Sequence, residues 1–178
     1  MLLMPKKDWQ WKYNDAHGVL SLSLGPELEF FTPYTKKLLI PDALGVMEFS
    51  VENAKFYIDL IDRLQDVLTC TESVLVQIAL NATAAHFMLK PQMPKSWFFE
   101  SSQVCVYSEQ GKLFELICSQ TRQKSLVLAV ESTLQATLVM ILSAETELND
   151  TKTLKQFDTI KVMQDRLHSL KSKSQAAA

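Results

Sequence analysis

Apolar and polar positions alternate in two blocks at the start of the chain. Trp9-Gln10-Trp11-Lys12-Tyr13 sets three rings on one side of an extended segment, and Val19-Leu20-Ser21-Leu22-Ser23-Leu24 repeats the period of two. The turn residues Asn14-Asp15-Ala16-His17-Gly18 lie between them, so the pattern predicts a hairpin with Leu20, Leu22 and Leu24 on one face. Gly25-Pro26 ends it. Leu28–Phe31 reads as a third short strand, Thr32–Lys37 as a polar connector, and Pro41-Asp42-Ala43-Leu44 as one helical turn broken by Gly45.

The period then lengthens to that of a helix. Ser50 is an N-cap candidate for a helix to about Leu68, with Ala54, Tyr57, Ile58, Ile61, Leu64 and Leu68 on one stripe and Asp59, Asp62, Arg63 and Asp66 opposite. Thr71-Glu72 opens a second helix, with Val74, Leu75, Ile78, Ala82, Ala85 and Leu89 as its stripe. The short Thr69–Thr71 connector makes the pair antiparallel. His86, one position off the stripe and without a Cys, His or acidic residue at helical spacing, reads as a structural histidine.

Lys90-Pro91-Gln92-Met93-Pro94-Lys95-Ser96-Trp97-Phe98-Phe99 separates this half from the next. Each proline biases the residue before it toward extended backbone, and no acidic residue offsets Lys90 and Lys95 before Glu100. A stiff, cationic loop beside Trp97 suits an acidic partner surface, and it equally suits a plain connector whose aromatics start a core strand.

Beyond it the period is that of strands. Trp97–Glu100, Gln103–Ser108, Leu113–Ser119, Leu126–Glu131 and Ala136–Ala144 predict an antiparallel meander that curls into a twisted, barrel-like sheet. A polar loop, Glu145–Lys155, leads to a terminal helix over about Phe157–Leu170, with Phe157, Ile160, Met163, Leu167 and Leu170 as its stripe. Lys171 and Lys173 read as a solvated face, and Ser172–Ala178 is expected to be disordered. The fold class is therefore α+β: an N-terminal α/β half, residues 1–90, and a strand-rich C-terminal half, residues 91–178.

Composition narrows the function. A 47% hydrophobic and 21% charged chain of 178 residues reads as a soluble globular protein with a sizeable core. The net charge of −2 argues against a general nucleic-acid binder. The N-terminus lacks a signal-peptide pattern and no apolar run reaches membrane-spanning length, so a cytoplasmic protein without membrane contact is expected. Cys70, Cys105 and Cys118 have neither disulfide nor zinc spacing, and Cys105 and Cys118 read as buried thiols in strands. Four scattered glycines build no phosphate loop, and His17, His86 and His168 fall on three separate elements. No catalytic residue, metal site or cofactor is expected.

Leu89-Lys90-Pro91-Gln92-Met93-Pro94-Lys95-Ser96-Trp97 resembles the signature of the ZapC family, Z-ring-associated cell-division proteins of gamma-proteobacteria. Asp8–Tyr13, Leu38–Ala43, Leu80-Asn81-Ala82, Val130-Glu131-Ser132 and Ile160–Leu167 match in the same order. The resemblance thins over residues 44–74 and 101–123. It implies a non-enzymatic cytoplasmic protein at mid-cell that binds the tubulin-like GTPase FtsZ, promotes filament assembly and bundling, and lowers FtsZ GTP turnover. Lys90, Lys95, Trp97, Leu22, Lys161 and Arg166 are the candidate partner-binding residues. Bundling requires either a monomer with two contact surfaces or a weak dimer. A small-ligand site in the mouth of the barrel-like sheet is the alternative.

Overall fold

The computed structural model describes residues 2–170. Strands β1 (Gln10–Asn14), β2 (Val19–Ser23), β3 (Glu29–Thr35) and β4 (Val46–Glu48) form an antiparallel sheet in the order β3-β2-β1-β4. Trp9 and Trp11 are fully buried on one side of it and Tyr13 is half-buried; Leu20 and Leu22 are buried, with Leu24 at the margin. β3 runs further than the sequence pattern suggests, through Pro33 to Thr35. Pro33 is tolerated because β3 is an edge strand, where its missing donor costs no ladder bond. β4, three residues directly after Gly45, carries too little periodicity to be legible.

Helices α1 (Val51–Val67) and α2 (Glu72–Met88) start where their caps require. The Ser50 hydroxyl accepts from Asn53 N, the Asn53 side chain accepts from Ser50 N, and the Thr71 hydroxyl accepts from Val74 N. The Asn53 carbonyl oxygen also accepts from Trp11 Nε1 at 2.9 Å, fixing α1 on β1. Phe56 and Leu60 join the expected stripe of α1, whereas α2 is buried on nearly every side. Apolar residues in α2 are not confined to one face, which is the composition of a helix enclosed by protein.

The C-terminal half forms a second antiparallel sheet, β10-β7-β6-β5, from β5 (Leu113–Ile117), β6 (Lys124–Ser132), β7 (Ala136–Ile141) and β10 (Thr159–Met163). Its sides belong to different clusters. Leu126, Leu128, Val130, Leu138, Met140 and Leu142 extend the core of the first half, while Val127, Ala129, Val139, Ile141, Ile160 and Val162 pack with Phe99, Phe114, Leu148 and Leu167. Both faces are covered, which explains the near-continuous apolar runs. The sheet is twisted but does not close into a barrel.

Several sequence expectations are corrected here. Residues 157–170 form β10 and a 3-10 turn at Gln164–Arg166 rather than a helix, because Thr159–Met163 pairs in register with β7 and that ladder outweighs the weak helical stripe. Ser96–Phe98 is a 3-10 turn, and residues 103–108 form no strand. The loop Glu145–Lys155 contains a hairpin of β8 (Glu145–Glu147) and β9 (Thr153–Lys155). Cys118 is buried, but Cys105 is exposed because its segment never joins the sheet. Lys171, Lys173 and the segment Ser172–Ala178 lie outside the described residues.

Polar contacts of Tyr34 and Arg63 are among those that join the halves. The fully buried Tyr34 hydroxyl donates to Phe157 O at 2.7 Å, and Arg63 pairs with Glu109 at 2.8 Å while donating to Gln110 O. Gly111 sits against Arg63 with a positive φ of 88°, and an added Cβ would come within 2.7 Å of the guanidinium, so any other residue there is both strained and crowded.

Asn53→Ala removes the acceptor of a buried indole donor together with one side of a capping box. The expected cost is about 2–4 kcal/mol, read as a lower urea midpoint at unchanged slope. Burial pushes the Tyr57 hydroxyl up to about 12, and burial with the Asp158 carboxylate pushes Tyr34 further up. Both phenols are favoured neutral in the fold, so their contribution is intact below the ordinary tyrosine value of about 10 and is lost as pH rises toward 12. Tyrosinate absorbance from this pair should therefore appear together with loss of near-ultraviolet circular dichroism.

Candidate partner-binding surface

The loop from Lys90 to Trp97 is laid along the outer edge of β10. Lys90 N donates to Leu38 O, Gln92 Nε2 to Thr159 Oγ1 at 2.9 Å, Lys95 N to Lys161 O at 2.8 Å and Met163 N to Ser96 Oγ at 2.8 Å. Pro91 and Pro94 keep the chain extended between these anchors. The loop therefore blunts a strand edge that would otherwise present unpaired backbone groups.

Fixing the backbone this way turns side chains outward. Trp97 is 66% exposed and Met93 79%, with Met163 at 38% beside them. Among the described residues, no carboxylate lies within ion-pair distance of Lys90, Lys95 or Lys161. Lys90 and Lys161 line one side of a small cleft of about 130 Å³ with Glu131 and His86. His86 is structural: its Nδ1 lies 2.6 Å from Val130 O and its ring stacks on Phe56 at 4.5 Å.

Lys152, in the turn between β8 and β9, completes the charge. Its ammonium lies 5.5 Å from the centroid of Phe98, which itself packs against Trp97, and it also faces Lys95. Burial, with the neighbouring Lys95 cation, lowers the Lys152 pKa. Lys152 is distant in sequence from the loop and lies in a polar stretch without periodicity, so only the folded hairpin brings it here.

The remaining candidates have other tasks. Arg166 donates from Nε to Ser96 O at 3.1 Å and from its guanidinium to Ser101 Oγ at 2.8 Å, and pairs with Asp165 at 2.8 Å. It positions the loop. Leu22 is fully buried opposite Trp11 and Phe30, so no partner touches it in this structure; it supports the sheet from within. Phe30 and Leu24, its neighbours, line a second concavity of about 520 Å³ between β3 and α2, together with Leu3, Leu28, Val76 and Leu80.

Both halves of the chain match known family descriptions. The description "Cell-division protein ZapC, N-terminal" matches residues 2–90 and "Cell-division protein ZapC, C-terminal" matches residues 91–173. This chain belongs to the ZapC family. It is 62% identical over 178 residues to the cell division protein ZapC of Shewanella oneidensis, covering all of this chain and 99% of that protein. It is 63% identical over 179 residues to that of Shewanella woodyi, with 98% of the relative covered. The ZapC of Aeromonas hydrophila is 34% identical over 168 residues, spanning 94% of this chain and 92% of its own. The two ZapC family matches meet between Lys90 and Pro91, where the loop along β10 begins.

The structure corrects the expectation that Trp97 starts the core strand. Phe99, bridged to Cys118 and 3% exposed, is the aromatic that packs, and Trp97 is displayed. Trp97→Ala is therefore expected to stay within about 1 kcal/mol of wild-type stability by thermal denaturation, while Phe99→Ala loses about 3–5 kcal/mol.

Proposed function

We propose that this cell-division protein binds FtsZ through the basic and apolar edge formed by the 90–97 loop, β10 and the turn carrying Lys152. The observation that carries the reading is that the loop is flanked by two lysine pairs drawn from three separate stretches, Lys90 with Lys161 at the cleft beside α2, and Lys95 with Lys152 beside Phe98 and the exposed Trp97. Glu131 lines the cleft of Lys90 and Lys161, whereas Lys95 and Lys152 face each other with no carboxylate at ion-pair distance among the described residues. Like charges at close range repel, and the arrangement becomes favourable when an acidic surface supplies the counter-charge. The aromatic and methionine side chains supply apolar area within the cationic rim.

Through this contact the protein acts at the Z-ring in septation, in the cytoplasm at mid-cell, promoting FtsZ filament assembly and lateral bundling. A monovalent binder cannot crosslink filaments. The groove between β3 and α2 fits the role of a second contact surface on one monomer, and a weak dimer would serve equally. FtsZ GTP turnover falls because lateral association withdraws subunits from exchange, by mass action on the polymer rather than by chemistry in this chain. No enzymatic role, cofactor, nucleic acid or membrane is needed. The alternative of a ligand held in a barrel mouth loses its support, since the sheet is open and both of its faces are packed.

Co-sedimentation with FtsZ and GTP is the test. Lys90→Glu with Lys95→Glu should retain the wild-type melting temperature, because exposed Lys90 and half-buried Lys95 have no ion pair among the described residues, and should abolish most of the added pelleting. Wild-type binding should also weaken near 0.5 M salt, where the screening length is about 4 Å. Wild-type bundling by the folded double variant, or GTP hydrolysis by the purified chain alone, would overturn the proposal.

A further inference from the structure

The β6–β7 hairpin ends in a turn that the fold holds rigidly and then leaves bare. Thr133 N donates to Ala136 O at 2.9 Å, and the Thr133 hydroxyl takes Ala136 N at 3.1 Å and Gln135 N at 3.3 Å. Gln164, directly after β10, grips the same turn twice: its N donates to Gln135 O at 3.0 Å and its Nε2 to Thr133 O at 2.7 Å. The residue between these clamped carbonyls is Leu134, and it is 98% exposed.

A single exposed leucine ordinarily means little. Three features set this one apart. Turn tips favour Gly, Asn, Asp or Ser, and a leucine that buries nothing gives the fold no apolar gain in return. Its backbone is fixed on both sides, so presenting the side chain to a partner costs little further ordering. It also adjoins the surface already described: Met163 pairs with Ala136 across the β7–β10 ladder, and the next residue, Gln164, clamps the turn, while Met163 N is bonded to Ser96 beside Trp97.

We propose that Leu134 is an apolar anchor of the same partner-binding surface, entering an apolar pocket on the protein partner, FtsZ. This rests on the functional reading above and extends it to a residue with no charge and no place in the basic cluster. The contact is shaped as a protruding knob that continues from Met163 through Ala136 and the clamping Gln164. A few rigid, well-seated side chains dominate most protein interfaces, so removing such a knob should cost at least about tenfold in affinity.

The experiment compares wild type, Leu134→Ser, Leu134→Gln and Leu134→Met by co-sedimentation titration against purified FtsZ with GTP, with melting temperatures measured alongside. The expected result is an unchanged melting temperature throughout, affinity at least about tenfold weaker for both polar variants, and near-wild-type affinity for Leu134→Met. Polar variants that bind within tenfold of wild type overturn the anchor while leaving the FtsZ reading in place. So does a loss that appears only as reduced self-association in sedimentation velocity, which would assign the tip to a second copy of the chain. A wild-type protein that fails to pellet with FtsZ overturns the functional reading, and the anchor with it.

Discussion

The structure depends on one helix being enclosed. α2 packs against α1, beneath the N-terminal sheet, and on the inner face of β6 and β7, and its buried residues occupy almost every direction around its axis. A helix so placed needs partners on all sides, so neither sheet has its full core without the other. That requirement explains why Leu126, Leu128 and Val130 share a cluster with Trp9 and Leu20, and why the Tyr34 hydroxyl reaches across to the Phe157 carbonyl. Of the buried polar side chains at this seam, Tyr34 and Thr83 are paired, the latter donating to Ala79 O, while Asn81 Oδ1 has no hydrogen-bond partner among the described residues.

A second constraint is the edge of the C-terminal sheet. An uncovered β10 would offer its backbone to any passing strand. The 90–97 loop covers it, and the bonds that do so also decide which side chains face solvent. Lys95 N, the Ser96 hydroxyl and Met163 N fasten the loop, while the neighbouring Trp97 and Met93 side chains are exposed. Arg166 belongs to the fastening: its charge is turned inward onto Ser96, Ser101 and Asp165. Lys152 faces Lys95 and lies over Phe98, and among the described residues neither lysine has a carboxylate at ion-pair distance.

The local signals in the sequence were dependable where local physics governs. Ser50 and Thr71 cap the two helices at the expected residues, and the alternation at Trp9–Tyr13 and Val19–Leu24 became the expected hairpin, because caps, turns and period are short-range properties. They failed where pairing decides. The stripe Phe157–Leu170 fits a helix, but Thr159–Met163 also alternates and has β7 beside it, and five residues in register with a buried strand win over a marginal helix. Residues 103–108 have strand-like composition but no strand partner, so they remain irregular and leave Cys105 exposed.

The same division runs through the surface. By itself the sequence determined an α+β chain without the spacing for a phosphate loop or metal site, and it marked Lys90 to Trp97 as a stiff, cationic stretch carrying the ZapC resemblance, since proline geometry and charge are written residue by residue. Tertiary structure decided what that stretch does with its side chains. Only the ladder to β10 turns Trp97 out and Phe99 in, only the β8–β9 hairpin brings Lys152 to Phe98, and only the sheet buries Leu22, because burial depends on what lies opposite a residue in space.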